Sequence, residues 1–131
     1  MKLKSFEHVL VLADDLEETK DFYVDVIGLT VGKRPDFKFP GYWLYLGNQP
    51  CVHLAGADRD GGGLNTTGGS APAGSGRIDH VAFNAEDFVG AKAALDARGC
   101  EYRHRKVPGA PLQQLFVEDP NGVTVEINFP A

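Results

Sequence analysis

Three histidines and one glutamate stand at matched places in two copies of a single segment. His8 pairs with His80, and His53 pairs with Glu126. All four side chains are able to bind a divalent metal. The first copy, FEHVLVLADDLEETKDFYVDVIGL from Phe6, aligns with IDHVAFNAEDFVGAKAALDARGC from Ile78, so that Val9 meets Val81, Ala13 meets Ala85, Asp15 meets Asp87 and Lys20 meets Lys92. The second copy lacks one residue, after which Gly28 meets Gly99; the closing stretches CVHLAG and VTVEINF then set His53 opposite Glu126. Two related halves about a pseudo-twofold axis would carry these residues to matching positions around it. His8, His80 and Glu126 are therefore expected to ligate one divalent metal. His53 is expected either as a fourth ligand or as an uncoordinated acid–base group. Two imidazoles and a carboxylate leave coordination positions open, which suits Fe(II), or Mn, Ni, Co or Zn acting as a Lewis acid. Ligands this generic do not single out the metal. His104 lies in a basic strand and is not expected to ligate.

Strand alternation decides whether the four can share a face. In the first strand His8 sits with Leu10, opposite Val9 and Val11. In its copy His80 sits with Ala82 and Asn84, opposite Val81 and Phe83. Glu126 shares a face with Thr124 and Asn128, while Val125, Ile127 and Phe129 point the other way; His53 lies opposite Val52 and Leu54. All four thus fall on the polar face of strands whose other face is apolar.

The elements that must carry them follow from the same periodicities. A strand over 6–12 precedes a helix over 15–27, capped by Asp14 or Asp15 and ended by Gly28. Strands are expected near 30–34, 42–47 and 50–55. The second half repeats the order, with a strand over 78–84, a helix over 87–98 ended by Gly99, and strands near 101–105, 113–118 and 123–129. Asp119-Pro120-Asn121-Gly122 is the turn between the last two. The expected architecture is α+β: two βαβββ modules forming a curved mixed sheet, helices outside, around a concave metal site. Module one covers about 4–55 and module two about 77–131, within a single domain spanning 1–131. Residues 56–76 are rich in Gly, Ser, Thr and Ala and are expected as a mobile connector or as a lid over the site.

Composition removes several function classes. At 131 residues, with 43% hydrophobic and 24% charged side chains, the chain reads as one ordinary globular domain able to build a core without disulfides. Its net charge of −5 argues against a nucleic-acid partner, which would need a basic face. Arg103, Arg105 and Lys106 read as a solvated strand edge or a local anion contact. The apolar run after Lys2 and Lys4 is only about six residues long and ends in Asp14-Asp15, so neither a signal peptide nor a membrane span is expected. Cys51 and Cys100 have no metal-ligand spacing and are expected as reduced thiols of a cytoplasmic protein.

With these residues in place, the chain resembles the vicinal oxygen chelate superfamily, which includes glyoxalase I, fosfomycin-resistance proteins, methylmalonyl-CoA epimerase, extradiol dioxygenases and bleomycin-resistance proteins. The resemblance covers essentially the whole chain. It rests on His8-Val9 with Thr19, Phe22-Tyr23 and Ile27-Gly28-Leu29, on Ile78-Asp79-His80-Val81, and on Asp119-Pro120-Asn121-Gly122 with Glu126. These motifs are specific to the superfamily and not to one reaction. The resemblance implies His8, His80 and Glu126 as ligands, with His53 at the fourth ligand position of glyoxalase I, where a glutamate is usual. It also implies one divalent metal that holds two neighbouring substrate oxygens, and paired modules that often assemble across a dimer. Extradiol dioxygenases usually carry a tyrosine where this chain has Phe116, and a histidine near the position of Val107-Pro108-Gly109. Bleomycin-binding members generally lack the metal ligands that are retained here.

The expected function is accordingly a metal-dependent, glyoxalase-like lyase or isomerase on a small oxygenated metabolite, with Glu126 or His53 moving a proton. An Fe(II) extradiol dioxygenase and a non-catalytic binding or resistance protein are the alternatives. Gln114, Phe116, Trp43 and Tyr45 are expected to line the substrate pocket, and Arg34 and Arg103 to offer anion contacts. Open sheet edges and a half-open concave face lead to the expectation of a homodimer.

Overall fold

Asp15 and Asp87, matched in the repeat, each start a helix. Asp15 Oδ1 accepts from the Glu18 backbone N–H at 2.9 Å ahead of α1 (Leu16–Asp21). Asp87 Oδ1 accepts from the Gly90 N–H at 3.0 Å ahead of α2 (Phe88–Ala97). Each cap pairs an N–H that the first helical turn leaves without an internal partner. The architecture is taken from a computed structural model that describes residues 1–56 and 73–130.

The helix expected over 15–27 changes character midway. After α1 the chain runs straight on into a wider π-helical stretch, Phe22–Ile27. Gly28 N–H and Leu29 N–H both donate to the Tyr23 carbonyl, at 3.1 and 2.9 Å, and the Tyr23 side chain is fully buried. Gly28 takes φ 99°, the left-handed conformation that a Cβ disfavours, and so ends the helix.

Among the described residues, eight strands follow the order the repeat demands: β1 (Val9–Ala13), β2 (Thr30–Gly32), β3 (Gly41–Leu46), β4 (Gln49–Gly56), β5 (His80–Asn84), β6 (Arg103–Lys106), β7 (Leu112–Glu118) and β8 (Thr124–Pro130). They form two four-stranded mixed sheets, ordered β1-β4-β3-β2 and β5-β8-β7-β6. β1 runs parallel to β4 and β5 parallel to β8, and the remaining pairs are antiparallel. This is the βαβββ unit twice over, an α+β fold. β5 begins at His80 and not at 78 because its ladder on β8 opens with the His80–Thr124 pair. Just before that pair the chain is folded into the Asp119–Gly122 turn, where Asp119 Oδ1 accepts from both Asn121 N–H and Val123 N–H, at 2.8 and 2.9 Å.

The chain divides into two compact units, Met1–Pro72 and Ala73–Ala131. The first is packed around Tyr23, Leu44, Val52 and Leu54, and the second around Leu95, Leu115, Val117, Val125 and Phe129. Helix α2 lies on the apolar side of its sheet, where the Phe88 ring meets Phe129 at 5.5 Å. Most of the expected connector, and with it the question of a lid, lies outside the described residues. Its last part is tied to the second unit, for Gly74 N–H donates to the Asn121 carbonyl at 2.8 Å. Cys51 and Cys100 are free thiols, each half-buried; burial pushes the Cys51 thiol up from its ordinary pKa. No described helix is long and apolar enough to cross a membrane.

Candidate functional site

Strand register builds the same cross-sheet row in each unit. In the second, Ala82 pairs with Glu126, Glu126 with Phe116, and Phe116 with Arg103. In the first, Leu10 pairs with His53, His53 with Trp43, and Trp43 with Gly32. His53 and Glu126 thus hold equivalent positions, as do Trp43 and Phe116. Side chains of one row stand on one face of a sheet. His80, two residues before Ala82, therefore shares the face of Glu126.

In the second unit this face is polar and hydrogen-bonded. His80 Nε2 lies 2.9 Å from Glu126 Oε2, and His80 Nδ1 lies 2.8 Å from Asp79 Oδ2. Glu126 is buried. Its other oxygen, Oε1, accepts from Gln114 Nε2 at 2.7 Å, and the same amide nitrogen donates to Asn128 Oδ1 at 2.9 Å. Gln114 is itself buried, and its Oε1 accepts from Arg105 Nε at 2.8 Å.

His80 thus faces a carboxylate oxygen at each ring nitrogen. A neutral imidazole has one donor, and an ionised carboxylate only accepts. A proton on Nε2 makes that contact a hydrogen bond to Glu126; with the proton on Nδ1 instead, Nε2 and Oε2 offer two lone pairs that one cation can share. Two ligand atoms about 2.1 Å from one ion and at right angles to each other stand about 3.0 Å apart, close to the observed separation. The donor set fits a divalent metal.

The first unit presents a different face. His8, just ahead of β1, keeps Nδ1 2.9 Å from Glu7 Oε1, and the Glu7 carbonyl accepts from Gln49 Nε2 at 2.8 Å. The His53 ring is sandwiched. It stacks on His8 with centroids 3.7 Å apart and planes inclined by 11°, and on Trp43 at 4.0 Å and 12°. Burial, and then the neighbouring His8, hold the His53 pKa below its ordinary value. Its Nε2 is buried without a hydrogen-bond partner. Nearly parallel rings cannot both aim an in-plane lone pair at one ion. In this arrangement, only one of His8 and His53 can point at a given metal.

The remaining expected site residues are placed as follows. Phe116 carries the Arg103 guanidinium 4.4 Å and the Arg105 guanidinium 5.9 Å from its ring centre. Tyr45 lies across Gly32, where any Cβ would stand 2.5 Å from the ring, and its hydroxyl donates to the Lys33 carbonyl at 2.5 Å. Arg34 donates to the Phe39 carbonyl at 2.9 Å, with its guanidinium over Phe37 and Phe39 at 5.1 and 4.9 Å. His104 belongs to the opposite, helix-facing side, 5.0 Å from Phe88 and 2.7 Å from Gln113 Oε1. Glu7, Asp79, Arg105 and Asn128 were not singled out from sequence as site groups. A signal for the first two was present, since both copies carry a carboxylate directly before the histidine.

Among the described residues, no three His, Cys, Asp or Glu side chains are grouped so as to hold a metal. Residues 5–127 match the family described as Glyoxalase/Bleomycin resistance protein/Dioxygenase superfamily. The chain is 30% identical over 130 residues to Glyoxylase I 4 of Arabidopsis thaliana, covering 97% of this chain and 71% of that protein. It is 26% identical over 149 residues to a lactoylglutathione lyase of Pseudomonas putida, covering 95% and 84%. The crystal structure of a glyoxalase family protein from Bacillus anthracis has the same fold, with a TM-score of 0.76 at 24% identity over 100% of this chain and 98% of that one.

Proposed function

Because this chain belongs to the Glyoxalase/Bleomycin resistance protein/Dioxygenase superfamily, we propose that it is a divalent-metal-dependent lyase or isomerase of the glyoxalase kind. Its substrate is a small metabolite held through two neighbouring oxygens. What supports this reading is the 2.9 Å approach of His80 Nε2 to Oε2 of the buried Glu126, an imidazole nitrogen and a carboxylate oxygen able to share one ion. His80, Glu126 and His8 would hold the metal, which would supply Lewis-acid polarisation of two neighbouring substrate oxygens and so acidify the C–H bond beside them.

The chain's own side chains do the rest. His53 Nε2, buried without a partner, takes the proton from that carbon and returns it to the neighbouring one. The flanking rings of His8 and Trp43 fix the plane of the imidazole. Trp43 and Phe116 receive the apolar part of the substrate. Since each module supplies two of the four residues, the working unit needs both modules. We place it as a homodimer, in which pairing covers open sheet edges.

The test is metal analysis of protein purified without chelators, followed by two assays. One equivalent of metal and turnover of lactoylglutathione, followed by its thioester absorbance, supports the reading. Iron with oxygen uptake on catechols moves the protein to ring cleavage. A metal-free protein that binds ligand without turnover makes it a binding protein.

A further inference from the structure

We infer that Gln114, held by Arg105, is a positioning residue that confines Glu126 to metal binding through one oxygen. This rests on the reading of Glu126 as a ligand. The orientation of the Gln114 amide follows from its neighbours and needs no view of the protons. Arg105 can only donate and the Glu126 carboxylate can only accept. The amide must therefore turn its oxygen to Arg105 Nε at 2.8 Å and its nitrogen to Glu126 Oε1 at 2.7 Å. The second amide proton goes to Asn128 Oδ1 at 2.9 Å. Both donors of the amide are then engaged, and its oxygen accepts from Arg105.

The consequence lies at Glu126. A carboxylate has two oxygens and can bind a cation through either or both. Here Oε1 accepts from a buried amide donor that draws it toward β7, while Oε2 is turned to His80 Nε2 at 2.9 Å. The guanidinium polarises the amide between them, so a positive charge acts on Glu126 through one intervening side chain without occupying ligand space. Register fixes the chain of contacts: Arg105 pairs with Gln114 across β6–β7, and Gln114 with Asn128 across β7–β8, one step along from Glu126. Groups that orient a metal ligand are commonly worth about 10- to 100-fold in affinity.

The experiment measures Co²⁺ affinity of the full chain by competition with a chelator, together with the visible absorption of the Co²⁺ form. Gln114→Leu should weaken binding about 10- to 100-fold and alter the cobalt spectrum as the freed oxygen joins the ligand sphere. Arg105→Met, which keeps the aliphatic stem, should weaken it less, and the double variant should be no worse than Gln114→Leu alone. That non-additivity marks Arg105 as acting through Gln114. Unchanged affinity and spectrum in Gln114→Leu, while Glu126→Gln loses the metal, would overturn the positioning role and leave the ligand assignment standing. Full affinity in Glu126→Gln would overturn both. Should Gln114→Leu fail to fold, Arg105→Met decides the matter: an unshifted spectrum and affinity there would remove the relay.

Discussion

The two modules place the same row on the same strands and fill it with opposite chemistry. Around His53 the contacts are ring faces, His8 on one side and Trp43 on the other. Around Glu126 they are hydrogen bonds, from Gln114 to one oxygen and with His80 at the other. Stacking fixes the plane of the ring, and the buried Nε2 of His53 is left without a hydrogen-bond partner. Hydrogen bonding fixes the direction of each oxygen, which suits metal binding. A duplicated scaffold thus carries ring stacking in one half and a hydrogen-bonded carboxylate in the other at equivalent positions.

The sharpest way to break this contrast is at His80. His80→Ala should purify without retained metal while its thermal unfolding in the metal-free state matches the parent. In the parent, added metal should raise the midpoint, by linkage worth about 2.7 kcal/mol when the free ion is about 100-fold above its dissociation constant. Undiminished metal in the variant would remove the ligand assignment. At the other half, His53→Ala should lower turnover by about two orders of magnitude or more and retain metal better than His80→Ala. An unchanged rate would make His53 a bystander.

Smaller effects sharpen the comparison. Trp43→Leu removes one face of the stack, worth about 0.5–1.5 kcal/mol. It should lower turnover less than His53→Ala does and leave metal affinity unmoved. Lost affinity would show that Trp43 serves the metal and not the base. The smallest changes are expected at the matched carboxylates, both largely exposed. Glu7→Gln and Asp79→Asn should each weaken metal binding toward the lower end of the roughly 10- to 100-fold range for groups that orient a ligand. Titration of both variants with Co²⁺ compares the halves directly. A loss confined to Asp79→Asn would leave His8 outside the ligand sphere.

The fold was legible because period-two alternation and two aspartate-capped helices recur in both copies, and a repeat turns each weak local signal into a paired one. The faces of His8, His53, His80 and Glu126 followed from the same alternation. The helix after Asp15 was legible as a helix but not in its widening at Phe22, because an apolar stripe over twelve residues does not separate the two helical periods. The face of Gln114 was legible, but its partners Arg105, Glu126 and Asn128 were not. A sequence shows which way a strand residue points, but not which of its neighbours across the sheet take up its hydrogen bonds.

By itself the sequence determined the duplicated βαβββ order, the turn that starts β8, and the residue types with metal-binding and proton-moving capacity. These depend on local periodicity and on chemistry carried by single side chains. Only the tertiary structure decided that His53 is clasped between two rings, that Arg34 and Tyr45 are engaged by their own loops, and that Glu126 keeps one oxygen for a partner while Gln114 takes the other. The clasp of His53 and the sharing of Glu126 are contacts between neighbouring strands, set by register, and the loop contacts of Arg34 and Tyr45 by competition for a limited number of donors. Such competition has no signature along the chain.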